Sequence, residues 1–370
     1  MIHGESGNGK TWLYRKVCKG QRVYAETLNL GAAAARGSLS AAFEEKLGEF
    51  GEGAQDTTST RAGAGLKVSG IGVDGDKITT SKLAQKSSFA ALLAAVRRRA
   101  GSRKAVLVLD NFEQIVDQPS ILRELASVIL SADDEYISKM GVKLLLVGVP
   151  GDIKSLISNV SNASTIANRL TEIPEVERMT QPEAVDLMKR GLETEIGLKL
   201  EIDSDAFYKD MCWKSDRIAQ HIHEISLKIA NEAVRTNGRI DAGVVERADK
   251  NWLEESLSSD WAIIEASMNA RETRAGRKNQ VIYALGRCDK EDFKYTDIEK
   301  LGRSEFPKNT KEVTLNVNQA MTSLEQAENA IVRRTTKGDA YRFVSPKLRM
   351  AIRAGLRKTK QETVEKAFYH

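Results

Sequence analysis

Residues 4–11 read Gly-Glu-Ser-Gly-Asn-Gly-Lys-Thr, a complete G-x-x-x-x-G-K-[ST] pattern. No other stretch limits the fold as much, because such a loop functions only between a buried strand and a helix. Gly4, Gly7 and Gly9 free the backbone to take positive φ and to approach phosphate oxygens. The loop amides and the start of the following helix then present aligned donors and a positive dipole end. Lys10 supplies a point charge for β- and γ-phosphates, and Thr11 a hydroxyl for Mg²⁺. The nucleotide-contacting set is therefore Gly4, Glu5, Ser6, Gly7, Asn8, Gly9, Lys10, Thr11 and Trp12. Only Met1, Ile2 and His3 precede the motif. Three residues span about 10 Å, half a usual core strand. A short first strand, a start placed too late or a truncated chain each accommodate this, and upstream residues are the expectation.

A second motif supports the first. Residues 106–110 read VLVLD, four apolar residues closed by Asp110, the pattern of a Walker B strand. A carboxylate at that strand's end, beside the phosphate loop, holds Mg²⁺ through water. The water-polarising residue usually follows this acid directly. Here that place holds Asn111, with Glu113 two further on. Glu113 is the candidate base if the turn aims it, with a solvated surface charge as the equal alternative. Slow turnover and a nucleotide-switch role both stand open.

Around these motifs strands alternate with helices, which argues an α/β parallel sheet. Strands are expected at 22–30, 104–110, 142–150 and 171–179, and helices at 39–50, 88–100, 119–139 and 164–170. Residues 51–82, rich in Gly, Ser, Thr and Asp, read as a flexible loop with an exposed hairpin. After residue 180 the pattern becomes helical. The expected domains are a P-loop core over 1–180 with an insert at 51–87, a helical lid over 181–250, a connector over 251–276 and a winged-helix domain over 277–360. Charge is uneven. The whole chain carries Lys+Arg 56 against Asp+Glu 51, a net +5, but residues 275–370 hold 20 basic and 12 acidic side chains. A basic end on a near-neutral body suggests contact with a polyanion. Three distant cysteines give neither a metal spacing nor a disulfide framework. With no leader and no long apolar run, a cytoplasmic setting without membrane contact is the expectation.

By GESGNGKT, VLVLDNFE and the order of parts, the chain resembles AAA+ and STAND-type ATPases, in the branch of origin-recognition initiators and bacterial transposition ATPases. That resemblance implies ATP and Mg²⁺ as ligands, ATP hydrolysis, homo-oligomerisation, a helical lid and a C-terminal winged helix. It places a trans-acting arginine finger at Arg169 and a second sensor at Arg217, each weighed against a plain surface or capping role. Gly148-Val149-Pro150 puts no polar first sensor after its strand. In a winged helix the third helix enters the major groove and the hairpin touches the backbone. Arg333, Arg334, Lys337 and Arg342 fall on or near that hairpin, and Lys308 and Lys311 precede the third helix. That helix carries few cations and two Glu. Two readings follow: association with double-stranded DNA, or a regulatory switch whose winged helix meets protein and whose effector is a separate chain.

Other residues have plain accounts. His221 and His223 stand at i,i+2 and cannot share a face, so packing or surface roles suit them. Arg97, Arg98 and Arg99 complement a helix C-terminus, with contact to DNA or a neighbouring subunit as the alternative. Trp213, Trp252 and Trp261 fall at helical core positions.

Overall fold

The computed structural model describes residues 1–51, 75–148, 169–269, 277–311, 313, 315–335 and 338–368, with 75–87 as backbone alone. It divides into two compact units, Met1–Glu177 and Arg178–His370.

The first unit is an α/β layer structure. Its elements are β1 (Ile2–His3), α1 (Lys10–Gly20), β2 (Tyr24–Asn29), α2 (Leu30–Arg36), α3 (Leu39–Glu49), α4 (Gly75–Ala100), β3 (Ala105–Asp110), α5 (Pro119–Ser131), α6 (Glu135–Lys139) and β4 (Val142–Gly148). The sheet is parallel, in the order β1-β4-β3-β2. β3 is buried at five of its six positions, as its unbroken apolar run requires. Pro119 starts α5, where its missing N–H costs nothing, and Ser38 caps α3. The core joins β3 to α3, α4 and α5, with Phe43 and Phe89 rings 5.6 Å apart.

Several expected boundaries change. α4 begins at Gly75, so residues 75–82 are helical; the rest of the expected loop and hairpin, 52–74, lies outside the described residues. Ser and Thr cost only a few tenths of a kcal/mol in a helix, so their richness there misleads. The expected 119–139 helix breaks at residues 132–134 into α5 and α6. Residues 171–179 form no strand ladder. They run extended beside β1, where Ile173 N–H donates to the Met1 carbonyl at 3.0 Å and Val176 N–H to the His3 carbonyl at 2.8 Å. Of the expected 164–170 helix, only Arg169 and Leu170 are described, and they are not helical.

The second unit is mainly helical. It holds α7 (Gln181–Lys189), β5 (Lys199–Leu200), α8 (Ser204–Lys214), α9 (Ala219–Ala233), β6 (Arg239–Ile240), α10 (Ala242–Glu255) and α11 (Ser258–Ser267). α12 (Lys278–Arg287), α13 (Tyr295–Glu305), α14 (Pro307–Thr310), α15 (Val317–Gln326), β7 (Val332–Arg334), β8 (Tyr341–Phe343), α16 (Pro346–Gly355), β9 (Leu356–Lys358) and β10 (Val364–Lys366) follow. α7 opens with a capping box between Thr180 and Glu183. One hydrophobic core runs from Ala184 through Trp252 and Trp261 to Leu356. β7 and β8 form the expected hairpin, and Phe293 bridges to Tyr341 at its side. The second hairpin, β9–β10, was not expected; residues 356–359 read as the end of a closing helix. Among the described residues no helix is long and apolar enough to cross a membrane.

Candidate nucleotide site

The phosphate loop leaves β1 at the carboxyl edge of the sheet, where β3 also ends in Asp110. Such edges, with helix N-termini above them, are where parallel sheets bind ligands. Gly9 sits at φ 90° and hands the chain to α1, a turn that an L side chain resists. Gly4 answers a different need: a Cβ there would overlap the Val176 carbonyl oxygen. That same carbonyl accepts a 2.8 Å hydrogen bond from Asn8 Nδ2, so the extended 173–176 segment is fastened onto the loop. Asn8 is buried, and its Oδ1 has no partner among the described residues.

Lys10 curls into its own loop and donates to the carbonyls of Gly4 at 2.7 Å and Glu5 at 2.9 Å. Burial pulls its pKa below the usual lysine value, while Glu113, Asp110, Glu5 and Glu175 pull it upward. One cation thus stands among four carboxylates. Thr11 Oγ1 donates to Asp110 Oδ2 at 3.0 Å, the pairing expected from the two motifs. These are hard oxygen donors a short distance apart. Among the described residues no group of three His, Cys, Asp or Glu forms a self-sufficient metal cage. Mg²⁺ takes one or two protein oxygens and fills its shell with water and substrate phosphates, and Thr11 Oγ1 and Asp110 are two such oxygen donors. The residues present fit both the nucleotide phosphates and the ion.

Asn111 adopts a left-handed conformation, φ 63° and ψ 50°, which Asn tolerates better than most side chains. Its N–H is tied to Asp110 Oδ1 at 2.9 Å. The chain thereby turns at once into a short 3-10 turn, Phe112–Gln114, that carries Glu113. Glu113 Oε2 is buried and has no hydrogen-bond partner among the described residues. Its carboxylate is the strongest of the acidic influences on Lys10. The structure therefore gathers Lys10, Thr11, Asp110 and Glu113, and uses Asn111 as the bend between the two acids. Trp12 is 66% exposed on α1 with Lys16 Nζ 5.4 Å from its ring centre, and Ser6 is exposed.

The two arginines each have a partner of their own. Arg169 Nε donates to Asp133 Oδ2 at 2.5 Å, beyond the end of α5. Arg217 does not open a helix; α9 starts at Ala219. It lies in a left-handed turn with Asp216, at φ 56° and 55°, and Arg217 Nε donates to the Met179 carbonyl at 3.1 Å. Gly148 ends β4, while Val149 and Pro150 lie outside the described residues.

Two features escaped the sequence. Tyr14 OH donates to Asp110 Oδ2 at 3.3 Å and lies 3.1 Å from Thr27 Oγ1, adding a second hydroxyl to the acid. Its signal was present, since Tyr14 sits three residues after Thr11 on one helix face. The second feature is Asp216. Its carboxylate is buried and receives Arg178 at 2.7 Å, Arg349 at 3.0 Å and Arg353 at 3.3 Å. Residues 38 and 133 or more positions apart meet there, which no local pattern announces.

Residues 1–157 match the family described as "AAA domain". No curated protein matches the chain. Among solved structures it is similar to Cdc6p from Pyrobaculum aerophilum, at 15% identity and TM-score 0.42, covering 95% of this chain and 85% of that one. It is also similar to the Aeropyrum pernix ORC2 protein in its ADP form, at 14% identity and TM-score 0.46, covering 94% and 83%. A third is the Thermotoga maritima RuvB Holliday junction branch migration motor, at 14% identity and TM-score 0.43, covering 93% and 83%. At these values the likenesses carry no functional argument. The span of the family match holds Lys10, Thr11 and Asp110, which lie at the carboxyl edge of a parallel sheet.

Proposed function

We propose that this protein binds ATP with Mg²⁺ and hydrolyses it, and that its nucleotide state governs self-association and contact with double-stranded DNA. The observation that carries the first part is Glu113, whose unpartnered carboxylate oxygen lies in the field of Lys10 beside the Thr11–Asp110 pair. Lys10 would exchange the Gly4 and Glu5 carbonyls for phosphate oxygens. Thr11 and Asp110 would hold Mg²⁺, which when bound neutralises charge on the phosphates. Glu113 would take the proton of the attacking water. Asn111 holds the turn that separates the two acids. Arg169 keeps the role of serving a neighbour's nucleotide, which requires it to leave Asp133. Arg217 keeps the second-sensor role, tested by turnover of Arg217→Ala.

DNA contact rests on the order α12, α13, α15, β7–β8, which is that of a winged helix with Phe293–Tyr341 as its third bridge. A second reading has one observation in its favour. Arg334 Nε is held by both Glu325 oxygens at 3.1 and 3.2 Å, and Arg342 makes a two-pronged contact with Asp292 at 2.7 and 3.2 Å. With these two cations engaged and Arg333 left exposed, the hairpin suits a protein partner, with an effector on a separate chain. ATPase rate measured with and without duplex DNA, across protein concentrations, tests the proposal. Stimulation by DNA or by concentration supports coupling to DNA or to assembly. A rate indifferent to both removes the coupling and leaves a monomeric ATPase.

A further inference from the structure

The second hairpin, β9–β10, has no counterpart in the expected architecture, and its surroundings differ in charge from those of β7–β8. Around β7–β8, residues 325–343 hold four basic and three acidic side chains. Glu291 and Asp292 add two more acids against Arg342. The segments 300–311 and 356–366 hold eight basic side chains and three acidic ones.

Hydrogen bonds fasten these two segments together. Glu362, at the turn of β9–β10, is buried, and its Oε2 accepts the backbone N–H groups of Lys308 and Asn309, both at 2.9 Å. Asn309 Nδ2 donates to the Gln361 and Glu362 carbonyls at 3.1 and 3.2 Å. Lys358 Nζ reaches back to Glu305 at 2.8 Å. Of the three acids, Glu362 is therefore occupied by backbone and Glu305 by Lys358 and Arg287. Lys308, Lys311 and Lys360 stay exposed on this joint and have no carboxylate partner among the described residues. Clustered lysines at the surface, rigidly backed and lacking counter-charges, are what a phosphate backbone recognises, because each phosphate contact needs only a point charge. α15 itself carries no cation; it exposes Asn318, Gln319 and Ser323.

We propose that the joint of the β9–β10 turn with the Lys308–Lys311 segment, and not the β7–β8 hairpin, grips the phosphate backbone of duplex DNA. This rests on the DNA-association reading above. Fluorescence anisotropy with a 30-base-pair duplex, at several salt concentrations, decides it. The probe is the full chain with the triple variant Lys308→Ala/Lys311→Ala/Lys360→Ala, beside Arg333→Ala/Arg334→Ala/Arg342→Ala. Each lost phosphate contact removes about 0.9 from the slope of log affinity against log salt. The lysine variant is expected to flatten that slope by roughly three units, alike for unrelated DNA sequences, and to bind ATP as before. The arginine variant is expected to keep the wild-type slope. A wild-type slope in the lysine variant, with binding intact, overturns the placement while sparing the DNA reading. Wild-type protein that fails to bind duplex at low salt overturns the DNA reading itself.

Discussion

Two charge clusters in this protein are mirror images in composition and opposites in state. At the phosphate loop one cation, Lys10, lies within the field of four carboxylates, and Glu113 Oε2 and Asn8 Oδ1 have no partners among the described residues. In the second unit one carboxylate, Asp216, lies among three arginines and receives all three. Arg353 also donates to the Gly286 carbonyl and to Asp289. The first cluster keeps unmet hydrogen-bonding capacity where a ligand would supply it. The second spends its capacity on closing three distant segments together. Burial and perturbed charge therefore do not by themselves mark a functional site; unmet capacity beside a built cradle does.

Opposite responses to substitution follow. Asp216→Ala removes the acceptor shared by Arg178 and the buried Arg349 and Arg353, and is expected to lower stability by about 3–5 kcal/mol, read by chemical denaturation. A loss under about 1 kcal/mol would show the cluster to be solvated and would break the contrast. Glu113→Gln is expected to leave folding intact, retain ATP and slow turnover by about 10²–10⁴-fold. Full turnover in Glu113→Gln would move the base elsewhere. Lys10→Ala should weaken ATP by at least about 100-fold, near 2.7 kcal/mol, in titration calorimetry, while the denaturation midpoint hardly moves. An equal loss of stability there would make Lys10 structural and erase the distinction.

Lys10 also sets a pH dependence. Its pKa lies below the usual 10.5 because burial disfavours the charged form. Phosphate binding needs that charge, so ATP affinity should begin to fall at a pH lower than for an ordinary lysine. Bound phosphate should push the onset back toward alkaline pH by linkage. Affinity flat up to pH 10.5 would contradict the direction. The smallest effect belongs to the exposed Arg334–Glu325 pair: Arg334→Ala is expected to cost under about 1 kcal/mol of stability. Set beside Asp216→Ala, it separates a surface ion pair from a buried one.

Legibility in the sequence varied with the range over which each feature is built. The phosphate loop, the buried β3 ending in Asp110 and the β7–β8 hairpin were readable because glycine spacing, apolar runs and turn residues act within about ten positions. α2 was missed because it follows β2 at Leu30 with no loop between, leaving no breaker to read. β9–β10 was hidden because Leu356, Arg357 and Lys358 continue a helical pattern from α16; pairing with residues 364–366 turns them into a strand.

The sequence by itself determined that a phosphate-loop motif and an acid closing an apolar strand lie on one parallel α/β sheet, since those residue types in that pattern leave few other folds. Tertiary structure alone decided what the intervening charges do. Asp216 and Arg217 are neighbours in the chain, yet one closes a buried cluster and the other turns to the Met179 carbonyl. Arg334 and Lys360 look alike as basic hairpin residues, yet one meets a carboxylate and the other meets solvent. A charge takes its meaning from the partner that folding brings within about 4 Å, and partners far apart in sequence leave no local trace.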